Sequence, residues 1–341
     1  MSGFGSNERK TKKSEEKKIK TLQRDKLISN AFSLHSSGKI KEAADVYNFL
    51  IQKKIYDPRV FNNLGSIYSN LKQFDKAILL FDESIKKFPN SLEAYINLAN
   101  VMIIKGKSDI AKKILNKVIE LNPNYLKPYS NLAGIFVGEG NFEKAEFFLR
   151  RSLEINPKDI NTLVNLACVL KDLGNPKQAE RFLRDALEIN PKYDSALVNL
   201  GAVLNELGKI DEGEEFLKKA LKINPNSPMA LNNLGNILSK KNKNKEAELF
   251  YRKAIELKSD FFLAYDNLGS LLSKQGNLIE AEKFTEKAIN YNPKFELAYV
   301  NLGSIKIDLD KLLEAEELFL RAIKINENYS YAYRNLFRLY E

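Results

Sequence analysis

Tryptophan is absent from this chain of 341 residues, and histidine and cysteine occur once each, as His35 and Cys168. A single cysteine excludes an intramolecular disulfide framework and a cysteine-based zinc finger. A histidine so far from it in sequence leaves no pairing of nucleophile with base, and no His/Cys cluster offers metal ligands. No apolar run approaches the roughly 18 residues of a membrane-spanning helix. The opening stretch MSGFGSNERKTKKSEEKK is followed by no apolar segment, so no secretory signal is read there. These absences favour a non-enzymatic, soluble chain of a reducing, cytoplasmic compartment, with no cofactor and no metal.

What is present is charge, and its distribution is uneven. The chain carries 54 Lys and Arg against 44 Asp and Glu, a formal charge of +10. Residues 1–23 are rich in lysine and almost devoid of apolar side chains, which predicts a disordered basic tail, since such a stretch buries too little to offset its ordering entropy. A tail of this kind is suited to tethering on acidic or phosphate-rich surfaces.

The rest is organised by a period. Asn-Leu recurs at Asn63, Asn97, Asn131, Asn165, Asn199, Asn233, Asn267, Asn301 and Asn335, always 34 residues apart. A small residue follows each Leu through Gly303, and twelve positions later stands Ala or Gly, from Ala77 to Ala315. A turn glycine recurs at Gly106, Gly140, Gly174, Gly208 and Gly276, with Asn242 in the same register. Proline closes six units, and Ser259 and Glu327 replace it in two. Apolar residues at the fourth, seventh and eleventh positions have helical spacing, and a second apolar stripe follows the turn. The pattern predicts two helices per unit, whose backbones approach closely at the small residues. Glycine or asparagine between them supplies a left-handed backbone position.

These columns resemble the tetratricopeptide repeat. The resemblance implies an all-α fold, an α-solenoid of 34-residue helix-turn-helix units wound into a right-handed superhelix, with the first helix of each unit lining a concave groove. It covers residues 24–341. By counting, residues 24–57 form a divergent capping repeat, 58–329 eight consensus units, and 330–341 the first helix of an incomplete one. At the eighth position of that last helix Phe337 replaces the usual Gly or Ala, so a normal second helix could not pack there. The helix is expected to be either a terminal cap or the point at which the chain continues into a different domain.

Function is expected on the unpacked face of each first helix, at positions 2, 5, 6, 9, 12 and 13. Position 6 is the asparagine column. A carboxamide is donor and acceptor at once and matches a peptide bond. Packed helices lie about 8–10 Å apart and an extended chain advances about 3.3 Å per residue, so one rung per repeat meets roughly every third residue of a bound peptide. The superhelix of O-linked N-acetylglucosamine transferase is similar in carrying such an asparagine ladder, and there the ladder holds peptide substrates. The reading is therefore a protein-interaction scaffold whose groove takes an extended peptide or partner protein, with Asn63 through Asn335 as peptide-binding residues. Its counterpart makes the array the recognition region of a glycosyltransferase-like or other transferase, with the catalytic domain absent or supplied in trans. The asparagine column also has a bland explanation, in which each side chain satisfies a neighbouring backbone group. Position 5 has no lysine in the consensus units, which argues against a clamp for chaperone C-termini. The unbroken period of 34, one short of the pentatricopeptide step, argues against a groove specific for nucleic acid. Cys168 is read as a small groove-wall residue and His35 as a surface residue of the cap.

Overall fold

The computed structural model describes residues 23–340, and the expected tail, up to residue 22, lies outside them. Among the described residues every regular element is a helix. Two compact units meet in sequence at Pro157.

In the first unit, α1 (residues 23–36) and α2 (Ile40–Gln52) precede three pairs, α3 (Pro58–Asn70) with α4 (Phe74–Lys87), α5 (Leu92–Ile104) with α6 (Ser108–Leu121), and α7 (Lys127–Gly138) with α8 (Phe142–Ile155). The second unit holds α9 (Ile160–Asp172) and α10 (Pro176–Ile189), α11 (Asp194–Glu206) and α12 (Ile210–Ile223), and α13 (Pro228–Lys240) and α14 (Asn244–Leu257). It continues with α15 (Phe262–Lys274) and α16 (Leu278–Tyr291), α17 (Glu296–Asp308) and α18 (Leu312–Ile325), and ends on α19 (Ser330–Tyr340). The chain is an all-α solenoid of helical pairs.

The turn inside each pair rests on one backbone conformation. Gly38, Gly106, Gly140, Gly174, Gly208 and Gly276 have φ between 70° and 79°, and Asn242 follows at 59°. Lys72 and Asp310 occupy the same register and adopt it too, at 58° and 61°. The requirement belongs to the turn, and glycine is only its least strained occupant.

Helix stops show the same independence from residue type. The helix before each closing proline ends two residues short of it, as α10 does at Ile189 before Pro191. Yet α14 and α18 stop at the same point before Ser259 and Glu327. In all three the next backbone N–H bonds a carbonyl four residues back, Asn190 to Ala186, Lys258 to Ala254 and Asn326 to Ala322. Proline is compatible with this stop but is not its cause. At two of these loops a fourth-position tyrosine ties the backbone down: Tyr129 donates to the Pro123 carbonyl at 2.8 Å and Tyr299 to that of Pro293 at 3.2 Å.

The small column at position eight is shaped by what faces it. A Cβ on Gly235 would stand 2.6 Å from the Tyr251 ring, and one on Gly303 2.5 Å from that of Phe319. Alanine replaces glycine at Ala99, Ala133 and Ala167, where the residue sixteen positions on is Leu115, Leu149 or Leu183. Glycine thus makes room for an aromatic ring at Gly65, Gly235 and Gly303, and alanine stands opposite leucine, while Gly201 faces Leu217 and Gly269 faces Thr285. The cores follow these columns: Ala43, Tyr47, Leu50 and Leu64 are fully buried in the first unit, and Leu217, Ala220, Ile237 and Ala247 in the second. At the far end only Ala332 of α19 is buried, while Phe337 is 65 % exposed.

Candidate functional site

Because a helix turns by 100° per residue, position 6 of each first helix lies at the edge of its packed stripe. The structure puts Asn63, Asn97, Asn131, Asn199, Asn233, Asn267, Asn301 and Asn335 half in and half out of solvent, and leaves Asn165 exposed. Positions 2 and 13 are mostly exposed, and positions 9 and 12 mostly half-buried.

Position 5 differs from expectation. Asn62, Ile96, Val164, Val198, Asn232, Asp266 and Val300 are all buried, so this column is part of the packing. Besides position 6, the columns with solvent-accessible side chains are therefore positions 2, 9, 12 and 13. The burial of position 5 has a consequence for the asparagines. Asn267 donates Nδ2 to Asn232 Oδ1 of the preceding repeat at 2.9 Å, and Asn301 donates to both carboxylate oxygens of Asp266 at 3.0 Å. Burial pushes the Asp266 carboxyl up to about 6 against the opposing influence of Asn301. Where position 5 of the preceding repeat is valine, no such acceptor exists. Asn199 and Asn335 then turn back onto the carbonyls of Ser195 and Tyr331, both at 2.8 Å, and Asn233 makes no side-chain hydrogen bond among the described residues.

In the first unit the partners are more varied. Asn131 donates to Asn100 Oδ1 at 2.7 Å, and Asn63 donates to the Tyr47 hydroxyl at 3.1 Å. That hydroxyl lies 3.3 Å from His35 Nδ1, with the two rings edge to face. His35 is thus half-buried and hydrogen-bonded, where the sequence suggested a surface residue. Asn97 has no side-chain partner among the described residues.

Sequence reasoning missed the tyrosines of the second helices. Tyr251 passes through the gap left by Gly235, and its hydroxyl donates to Asn236 Oδ1 at 2.7 Å, on the exposed side of α13. The signal was available: glycine at position eight with an aromatic residue sixteen positions later. Cys168 is half-buried and burial raises its thiol, the opposite of what a reactive thiolate needs. Among the described residues no group of three or more His, Cys, Asp or Glu could hold a metal ion, and no helix is long and apolar enough to cross a membrane.

Chemically, a carboxamide with its N–H₂ committed to a buried acceptor still has an oxygen with two lone pairs. Such a group can accept a backbone N–H from an approaching peptide.

Known proteins resemble this chain at three levels. The BBSome complex member BBS4 of Bos taurus is 35% identical over 102 residues, covering 28% of this chain, and that of Mus musculus is 34% identical over 96. The matched segment spans only 18% of either relative's length. Among solved structures, a tetratricopeptide repeat protein from Parabacteroides merdae aligns over 74% of this chain and 99% of its own, with a TM-score of 0.62 at 22% identity. Human IFIT1, solved as a dimer with PPP-AAAA, aligns over 91% of this chain and 79% of its own, with a TM-score of 0.64 at 19% identity. At these identities the likeness concerns the fold. The general tetratricopeptide repeat model matches residues 263–295 and 297–329. A longer match covers residues 38–267, about two thirds of the sequence, so the chain belongs to the tetratricopeptide-repeat family described as the Cilia and flagella-associated protein 70 C-terminal domain.

Proposed function

We propose that this protein-interaction scaffold holds a partner as an extended segment laid along the exposed faces of its first helices, with the carboxamides at position 6 meeting the backbone of that segment. The observation that carries the reading is the fixing of Asn267 and Asn301 by acceptors buried beneath them. A rung held in place before the ligand arrives loses little rotamer freedom on binding, and preorganisation of this kind favours affinity. Each bond is worth about 0.5–1.5 kcal/mol, so binding depends on several rungs together. The relatives are members of a complex, which agrees with a partner that is itself a protein.

Two rungs of the second unit give a clean test, because Asn165 is exposed and Asn233 makes no side-chain hydrogen bond among the described residues. Nonapeptides selected on the protein from a random displayed library would be labelled with fluorescein and their affinities measured by polarisation. Asn165→Ala and Asn233→Ala combined should weaken the selected peptides about fivefold or more, while Tm stays within about 2 °C of the parent. Unchanged affinity in the double variant, or failure to select any peptide, overturns the ladder.

A further inference from the structure

We infer that the exposed face of the second unit contains a subsite for an acidic side chain of the bound segment, built from Lys240, Lys274 and the polar groups between them. The inference rests on the peptide-binding reading above and names the class of peptide that α13 and α15 would take.

A cleft of about 230 Å³ opens between these helices, and no acidic residue lines it. Its floor is polar: Asn236 and Ser270 at position 9, the rung Asn267, and the Tyr251 hydroxyl, which reaches it from the second helix. Two lysines at position 13, Lys240 and Lys274, stand at its rim. The same column is Asp172 and Glu206 in the two preceding repeats of this unit and Asp308 in the following one. The cationic pair is therefore local, and it does not repeat along the solenoid.

Neither ammonium has a carboxylate partner among the described residues. This sets them apart from the lysines of the second-helix side, where Lys241, for example, reaches both Asp211 and Glu214 at 2.5 Å. Lys240 instead donates to the backbone carbonyl of Asn205 at 3.1 Å, near the end of α11. That bond uses one of its three N–H donors. The side chain of Asn205 supplies a second, independent sign. Its Oδ1 is buried with no hydrogen-bond donor, a deficit that native structures rarely leave without a use. A carboxylate entering the cleft would draw Lys240 from the Asn205 backbone, and the adjoining N–H of the same peptide residue would then find the Asn205 oxygen. Two cations without acids and one acceptor without a donor thus ask for the same ligand, a peptide residue with an acidic side chain.

Two fluorescein-labelled nonapeptides of alternating Ala and Ser test this, one with Glu at the three central positions and its twin with Gln. The parent protein should bind the Glu peptide at least tenfold more tightly at low salt, with a preference that shrinks as salt rises. Lys240→Met with Lys274→Met should abolish the preference while leaving the Gln peptide's affinity unchanged. Lys274→Met alone, which spares the bond to Asn205, should remove part of it and keeps the test valid if the double variant folds poorly. Equal binding of the two peptides, or a Glu preference that survives the lysine substitutions, overturns the subsite. The variant Asn165→Ala with Asn233→Ala separates the two readings. Charge-blind binding that needs the rungs leaves the ladder standing, and Lys-dependent binding indifferent to the rungs overturns the ladder alone. Binding of neither peptide overturns both.

Discussion

Asn301 and Asp266 form a clasp between consecutive repeats, with the carboxamide nitrogen 3.0 Å from each oxygen of a carboxylate that is only 2 % exposed. The preceding repeat makes the same clasp with uncharged groups, Asn267 to Asn232. The two differ by one charge, and burial raises the charged version to a pKa of about 6, well above its unfolded value. The folded state therefore binds a proton more tightly than the unfolded chain does. Between pH about 4 and about 6 folding takes up that proton, so the contribution to stability is largest at the acid end and is lost as pH rises through 6. Asp266→Asn keeps an acceptor for Asn301 and removes the ionisation. At pH 7.5 the variant should be more stable by about 1–3 kcal/mol, with the advantage fading by pH 4. Thermal melts of parent and variant across that range measure it. Parallel pH profiles would mean that Asp266 is not the titrating group.

Lys306 breaks the apolar column at position eleven, where Leu204, Leu238 and Leu272 stand in the preceding repeats. It is 6 % exposed, and although burial works against its charge, Glu282 at 2.6 Å and Glu314 raise the ammonium overall. Replacing a whole buried ion pair by hydrocarbon is often neutral, whereas removing one partner leaves the other charge uncompensated. Lys306→Ala should cost about 2–4 kcal/mol, since it leaves both a cavity and a weakened neighbour. Lys306→Leu should cost about 1–2 kcal/mol less than Lys306→Ala, because it fills the cavity, while in both variants Glu282 retains only Lys311 at 3.5 Å. Denaturant unfolding of the two variants ranks them. Equal losses would show that charge, not packing, sets the cost.

Most of the architecture could be read from columns, because a solenoid repeats its packing constraints along with its sequence. The turn at Asn242 was legible from residue type, yet Lys72 and Asp310 adopt the same left-handed backbone with no such signal except the period. Position 5 was misassigned for a physical reason. Its residue types range from Val to Asp, which reads as an exposed variable column. Burial tolerates Asn232 and Asp266 because the next repeat's asparagine, 35 residues away, supplies the hydrogen bond, and Asn62 because the Ser84 hydroxyl donates to it at 3.3 Å. The Tyr251 hydroxyl escaped for a similar reason: its destination depends on a glycine in another helix.

That dependence gives a coupled prediction. Gly235 has no room for a Cβ while Tyr251 faces it, since the nearest ring carbon would stand at 2.6 Å. Gly235→Ala alone should force the ring aside, at a cost of about 1–3 kcal/mol from overpacking. Tyr251→Leu alone should cost a similar amount, by leaving a void and depriving Asn236 of its hydroxyl partner. Together, however, the two substitutions recreate the alanine–leucine pairing that Ala167 and Leu183 already use in the same unit. The double variant should therefore lose about 1 kcal/mol less, or better, than the sum of the single losses. A double-mutant cycle by denaturant unfolding measures the coupling. Strict additivity would show that the glycine column is not set by the side chain it faces, and that small residues at position eight serve backbone approach alone.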